Sequence, residues 1–306
     1  MKELTRRSFL QLNARLAAIM GLGANAIPAL AEAVAKIASG TAPLLWLQGQ
    51  SCSGCSVSLL NSDPLTPARL ITQYISLAFH QTLSTATGEV AVTAVNTLID
   101  KGGYLLAVEG AIPVGMPSAC EFGGEPFARQ VARAARKAKA VVAVGNCAAY
   151  GGIPAAAGNV TGAVSLTEFL QREGITTPLI LLPGCPAHPD WIVGTLAHVL
   201  KFGLPDLDEE RRPKAFFSRL VHDQCPRFAD YERERFAVTF GEGGCLFKLG
   251  CAGPLTKADC SVRQWNSGTN FCIKAGAPCI GCASRQFVER LDNPIYVKNP
   301  TAVKLS

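Results

Sequence analysis

For its first two thirds the chain alternates short, wholly apolar runs with longer amphipathic stretches, and then that rhythm stops. Four apolar runs stand out: Pro43-Leu44-Leu45-Trp46-Leu47, Tyr104-Leu105-Leu106-Ala107-Val108, Ala140-Val141-Val142-Ala143-Val144 and Leu179-Ile180-Leu181-Leu182. Runs this short, with no polar alternation, predict strands buried on both faces, as in a parallel sheet. Between them, Pro126 to Lys139 has helical periodicity with its basic residues on the exposed face. Asp63 to Gln81 is read as carrying helical stretches, and Asp190 to Phe202 as a helix. Strands alternating with helical connections predict an α/β fold built on a flavodoxin-like parallel sheet.

Each apolar run ends in a turn that bears a chemically useful side chain: Cys52 and Cys55, Glu109, Cys147, and Cys185. In open α/β sheets ligands sit beyond the carboxyl ends of the strands. The four cysteines are therefore expected to meet at one point. Either Cys147 or Cys185 alone could be a small buried hydrophobe; all four at strand ends make a site the better reading. Leu204-Pro205-Asp206-Leu207-Asp208 closes this part, which gives a first domain over residues 40–205 and a second over 206–306.

In the second domain, cysteines take the place of periodicity. Cys225, Cys245, Cys251, Cys260, Cys272, Cys279 and Cys282 follow His222 within a glycine-rich tract. Soft thiolates at this density, with one imidazole, suit iron–sulfur clusters or structural zinc. Ligation would also stabilise a domain that has little regular structure.

Composition narrows the choice. With 306 residues and 48% hydrophobic content the chain is long and apolar enough for two packed domains. The net charge of +6 comes partly from Lys2, Arg6, Arg7 and Arg15, so it makes no case for nucleic acid. Thr5-Arg6-Arg7-Ser8-Phe9-Leu10 is a twin-arginine pattern, followed by a weakly apolar run from Leu16 to Leu30. Ala29-Leu30-Ala31 offers a cleavage site, so residues 1–31 are read as a signal peptide for export of a folded protein to the periplasm. No other apolar run reaches the roughly 20 residues that span a bilayer. Twelve cysteines in an exported chain would ordinarily read as disulfides. Close C-x2-C pairs and a folded-export signal favour metal ligation instead.

Taken together, WLQGQSCSGCS (46–56), VEG (108–110), VGNCAAYGG (144–152), LPGCPAHPDW (182–191), HDQC (222–225), GCLFKLGC (244–251), WNSG (265–268) and FCIKAGAPCIGC (271–282) resemble the small subunit of a nickel–iron hydrogenase. The resemblance implies three clusters. A proximal 4Fe–4S cluster would be held by Cys52, Cys55, Cys147 and Cys185. A distal 4Fe–4S cluster would be held by His222, Cys225, Cys245 and Cys251. A middle cluster would be held by Cys260, Cys279 and Cys282, with Cys272 as a candidate fourth ligand. Many members carry proline where Cys272 stands and hold a 3Fe–4S centre; cysteine here points to 4Fe–4S, as in the nickel–iron–selenium branch. Oxygen-tolerant members add cysteines at the positions of Gly54 and Gly152, so the resemblance implies a standard, oxygen-sensitive type.

The resemblance also implies that hydrogen is activated in a separate large subunit, with no catalytic residue in this chain. Electrons would leave for an external carrier such as a periplasmic multihaem cytochrome c. Glu109 would be a polar neighbour of the proximal cluster or part of the large-subunit interface. Three four-ligand clusters use eleven cysteines and His222, which leaves Cys120 as a structural thiol. His188 and Trp191 read as packing or interface residues. Lys248 is either a partner guide or a plain solvated lysine. The rival readings are a quinone-oxidoreductase subunit holding the proximal-type cluster alone, and a secreted protein held by zinc or disulfides.

Overall fold

A computed structural model of the chain describes residues 11, 14–15, 17–18, 21–38, 43–62, 77–287 and 289. The twin-arginine pattern and most of the expected helical stretch from Asp63 lie outside these residues. The remainder of that stretch is a strand: Leu77–His80 pairs in parallel with Leu44–Gln48. Phe79 and His80 are buried there. A four-residue edge strand offers too short a pattern to distinguish from a helical turn.

In chain order the sheet strands are β1 (Leu44–Gln48), β2 (Leu77–His80), β3 (Leu105–Glu109), β4 (Ala140–Val144) and β5 (Leu179–Leu182). Spatially they run β2-β1-β3-β4-β5, all parallel. This is the flavodoxin-like order, which places a topological switch point between β1 and β3. The helices that matter to the site are α1 (Ile27–Ala38), α2 (Gly54–Leu60), α3 (Gly88–Lys101), α4 (Phe127–Lys137), α5 (Gly145–Tyr150), α6 (Leu166–Arg172) and α7 (Pro189–Phe202). In α4, Phe127, Val131, Ala134 and Ala135 are buried, while Arg136 and Lys137 sit in the last turn, where cations favour the helix dipole.

Side chains alternate across the strands, so the sheet feeds two cores. Leu45, Leu47, Leu106, Val108, Val141 and Ala143 pack on one side with residues of α3, α4 and α6. Trp46, Leu105, Ala107, Val142 and Ile180 pack on the other side with Trp191, Ile192 and Leu196 of α7. That second core continues into the loop-rich region through Phe216, Phe217, Leu246, Leu249, Phe271 and Ile273. Among the described residues beyond 205, no helix exceeds the five residues of Phe228–Glu232. Leu30 of α1 is fully buried in this same core. The expected cleavage triplet Ala29-Leu30-Ala31 therefore lies inside a packed helix. None of the described helices is long and apolar enough to cross a membrane.

Trp191 fastens the two regions. It is 1% exposed, packs against Phe217 with ring centroids 4.8 Å apart, and donates from Nε1 to Asp259 Oδ1 at 2.8 Å. Arg263 grips both Asp259 and Asp190, the latter at 3.0 Å, and its guanidinium lies over Phe216. Trp191→Ala removes both the packing and the hydrogen bond, at an expected cost of about 3–5 kcal/mol. Trp191→Phe keeps most of the packing and costs about 1 kcal/mol. Denaturation midpoints of the holoprotein separate the two variants; equal midpoints would contradict this assignment.

Candidate functional site

The register of the sheet explains why the strand-end cysteines meet. Gln48 pairs with Glu109, Glu109 with Val144, and Val144 with Leu182, so four strands stop level with one another. The turns that follow carry Cys52, Cys55, Cys147 and Cys185 over a single edge. Burial pushes the Cys55 thiol well up, and Glu109, Cys147 and Cys185 push it further. Burial likewise raises Cys147 to about 11, with Cys185 and Cys52 adding to it. Close approach requires glycine here. At Gly145 (φ +86°) an added Cβ would stand 2.4 Å from Cys55 Sγ, and at Gly152 it would stand 2.6 Å from Cys147 Sγ.

Glu109 holds this turn from below. Its carboxylate accepts from the Cys55 amide at 3.0 Å, the Ser56 amide, Trp46 Nε1 at 3.1 Å and Gln48 Nε2 at 3.1 Å. The Ser56 hydroxyl also donates to it and meets His80 Nε2 at 3.0 Å. His80 stacks on Trp46, and burial lowers its pKa to about 4, so the ring is neutral. At 2% exposed, Glu109 faces inward and not onto a surface. Sequence reasoning singles out Glu109 but misses Gln48, Ser56 and His80, whose residue types and spacing carry no ligand signal.

A second group gathers in the loop-rich region. His222, Cys225, Cys245 and Cys251 line one small cavity together with Phe247 and Ile273. Phe228 and Tyr231 stand edge-on to the His222 ring, and burial lowers its pKa, which favours the neutral form that can ligate. Cys245 is raised to about 11 by burial, with Cys251 and Cys225 contributing. Gly253 packs close, and a Cβ there would meet Cys251 Sγ at 3.4 Å.

Cys260, Cys279, Cys282 and Cys272 form the third group. Burial pushes Cys260 and Cys279 well up, and each also feels Cys282 and Cys272. Cys272 is exposed as a residue, yet its thiol acts on all three of the others. The groups abut. The Ala252 amide, next to Cys251 of the second, donates to the Cys279 carbonyl at 2.7 Å. Cys185 and Cys282 line one cavity, and Asn146, beside Cys147, donates to the Cys282 carbonyl at 2.9 Å, which brings the third group against the first.

Among the described residues no cysteine is joined in a disulfide. Cys120 packs at the margin of the α3–α4 core, apart from the three groups. His188 is buried; its Nδ1 accepts from the Asp190 amide and its Nε2 meets the Gln264 carbonyl at 2.8 Å. Lys248 rests its ammonium over Phe236, 4.5 Å from the ring centroid. Among the described residues, no three His, Cys, Asp or Glu side chains close tightly enough to hold a single ion. The donor set is soft, the glycines leave room for an inorganic core, and the buried thiols need nearby positive charge to ionise. These features fit multi-iron clusters.

Residues 217–295 match the C-terminal family of the NiFe/NiFeSe hydrogenase small subunit. Residues 52–199 match the NADH ubiquinone oxidoreductase 20 Kd subunit family. The periplasmic [NiFeSe] hydrogenase small subunit of Desulfomicrobium baculatum is 42% identical over 317 residues, covering 96% of this chain and 99% of that protein. The chain belongs to the nickel–iron hydrogenase small-subunit family. The Hydrogenase-2 small chain of Escherichia coli K12 is 38% identical, with 91% of this chain and 76% of that protein covered. A structure of the reduced, active Ni-Fe-Se hydrogenase from Desulfomicrobium baculatum superposes with a TM-score of 0.80 at 43% identity, over 84% of this chain and 99% of that one. The [NiFeSe] hydrogenase of Desulfovibrio vulgaris Hildenborough gives 0.78 at 40% identity, over 83% and 97%.

As a hydrogenase small subunit, the chain is part of an oxidoreductase whose nickel–iron active site lies in the large subunit. The match over residues 52–199 takes in the strand-end cysteines Cys52, Cys55, Cys147 and Cys185, whereas the later groups lie within the match over residues 217–295. Glu109→Leu should leave the Cys55 and Ser56 amides and the Trp46 indole without an acceptor. The expected loss is about 2–4 kcal/mol, since each buried donor left unpaired costs ~1–3 kcal/mol. Thermal melting of the purified complex checks this, and an unchanged midpoint would contradict it.

Proposed function

We propose that this chain is the electron-relay subunit of a periplasmic nickel–iron or nickel–iron–selenium hydrogenase, passing electrons between the hydrogen-activating large subunit and an external carrier such as a cytochrome c. The observation that carries this reading is the adjacency of the three cysteine groups, first to third where Cys185 and Cys282 line one cavity and Asn146 bonds the Cys282 carbonyl, third to second where the Ala252 amide bonds the Cys279 carbonyl. A linear series of sites suits single-electron hops; isolated structural sites would have no need to touch.

In this reading Cys52, Cys55, Cys147 and Cys185 hold the proximal 4Fe–4S cluster, Cys260, Cys272, Cys279 and Cys282 the middle one, and His222, Cys225, Cys245 and Cys251 the distal one. Iron–sulfur clusters, when bound, supply centres that take up and release single electrons. The residues around them orient and shield. Glu109 fixes the amide of Cys55. Phe228 and Tyr231 pack around His222. The neutral imidazole leaves the distal site one negative charge lighter than an all-thiolate site, which suits an exit position. The open cavity lined by Cys52, Cys147, Cys185 and the 153–161 loop is the face we assign to the large subunit.

Export by the twin-arginine route, with residues 1–31 as the signal, belongs to the same proposal, as do domains at 40–205 and 206–306. Support comes from relatives named as periplasmic and from the Arg6-Arg7 pattern. Iron and acid-labile sulfide in the purified complex test the cluster assignment. About twelve of each in this chain are expected, after subtracting the large subunit's iron. Cys272→Pro should lower the iron by about one and convert the middle site to 3Fe–4S, visible as a new signal in the oxidised protein. Zinc without sulfide would overturn the reading.

A further inference from the structure

Asn146 stands between the first and third cysteine groups and is 1% exposed. It precedes Cys147 in the turn after β4, where Gly145 is pressed against Cys55. Its backbone amide donates to the Gly184 carbonyl at 2.7 Å, in the loop that carries Cys185. Its side-chain Nδ2 donates to the Cys282 carbonyl at 2.9 Å and to the Ser284 carbonyl at 3.1 Å. Both acceptors are carbonyl oxygens, so the amide's orientation is fixed by chemistry: turned over, Oδ1 would face two other oxygens. Oδ1 itself finds no donor among the described residues. The side chain is therefore placed by what it gives to residues 282–284, and one residue ties three loops that belong to two cysteine groups.

We propose that Asn146 is a positioning residue for electron transfer, clamping the Cys279–Ser284 loop onto the strand-end turns so that the first and third sites keep a fixed separation and contact. The proposal rests on the reading that both sites hold iron–sulfur clusters. Asn146 itself touches no electron carrier; it acts through the backbone of Cys282. What it guards is the approach of the Cys282 loop to the Cys185 loop, the two cysteines lining one cavity. Without the clamp, the Cys282 and Ser284 carbonyls lose their donor in a buried place, and the loop has reason to move away.

The test uses the whole heterodimer with its clusters, comparing wild type with Asn146→Ala, Asn146→Ser and Asn146→Asp. Aspartate matches the shape of asparagine and offers no donor. Serine keeps a short O–H donor, and alanine keeps none. Two readouts are taken: the magnetic interaction between the first and third sites in the fully reduced protein, by electron paramagnetic resonance, and the midpoint potential of the third site. In wild type the two sites should show a defined mutual splitting. In Asn146→Ala and Asn146→Asp that splitting should be lost or broadened and the third site's potential shifted, with serine restoring part of each. A residue that merely supports the fold would lower the melting temperature and leave both readouts unchanged. Unchanged splitting and potential in cluster-loaded alanine and aspartate variants would overturn the proposal. If alanine fails to load the third site while serine loads it, the donor is again what matters, in support; failure of both alike would assign Asn146 to volume alone and overturn it. A wild-type complex without iron and sulfide in these sites would instead overturn the underlying cluster reading.

Discussion

The structure depends on burying groups of thiols side by side, an arrangement unfavourable for any chain without compensation. Burial and mutual repulsion raise Cys55, Cys147, Cys260, Cys279 and Cys282 together, so none of these groups can ionise as a set in the bare protein. Iron–sulfur clusters bound there would supply the missing positive charge, and their binding would then be part of the stability of the fold. The two halves of the chain meet this demand differently. In the first, a parallel sheet sets the sites, because four strands end in register and their turns have nowhere else to point. In the second, short helical turns and loops do the setting.

Buried polar residues then hold those turns to the sites. Glu109 sits under the Cys55 turn and satisfies two of its amides. Trp191 and Arg263 converge on Asp259, the residue before Cys260. Asn146 binds the carbonyl of Cys282. In each case a side chain from the sheet region or its helices, or one anchored to them, holds backbone next to a cysteine of the candidate sites. Electron transfer between fixed centres needs little motion, and such bracing suits it. Hydrogen activation makes other demands and is the task of the large subunit.

Much of this is legible in the sequence because the main signals are strong. The apolar runs at Leu44, Leu105, Ala140 and Leu179 form strands within a residue of their expected bounds. The strand-end cysteines come together because parallel sheets put turns on one edge. The strand at Leu77–His80 escapes notice, since an edge strand with one exposed and one half-buried residue has no distinctive pattern. The helix at Ile27–Ala38 is obscured by a leader-like composition, and the packing of Leu30 in the core is not legible there. Glu109 stands out by its place at a strand end, but its inward hydrogen bonds cannot be read from the sequence. His80, Ser56 and Asn146 are invisible for a plainer reason. The contacts that give them a role, Ser56 with His80 and Asn146 with Ser284, span 24 and 138 residues of sequence, and only the fold brings them into reach.

The most direct test of the relay is where iron resides in the assembled protein. An anaerobic crystal structure of the heterodimer, with anomalous scattering measured at the iron edge, locates it without assumption about ligands. The account predicts three separate iron centres in this chain, strung from Cys147 past Cys282 to His222. A single centre at the strand ends, or scattering at the zinc edge in place of iron, would contradict it.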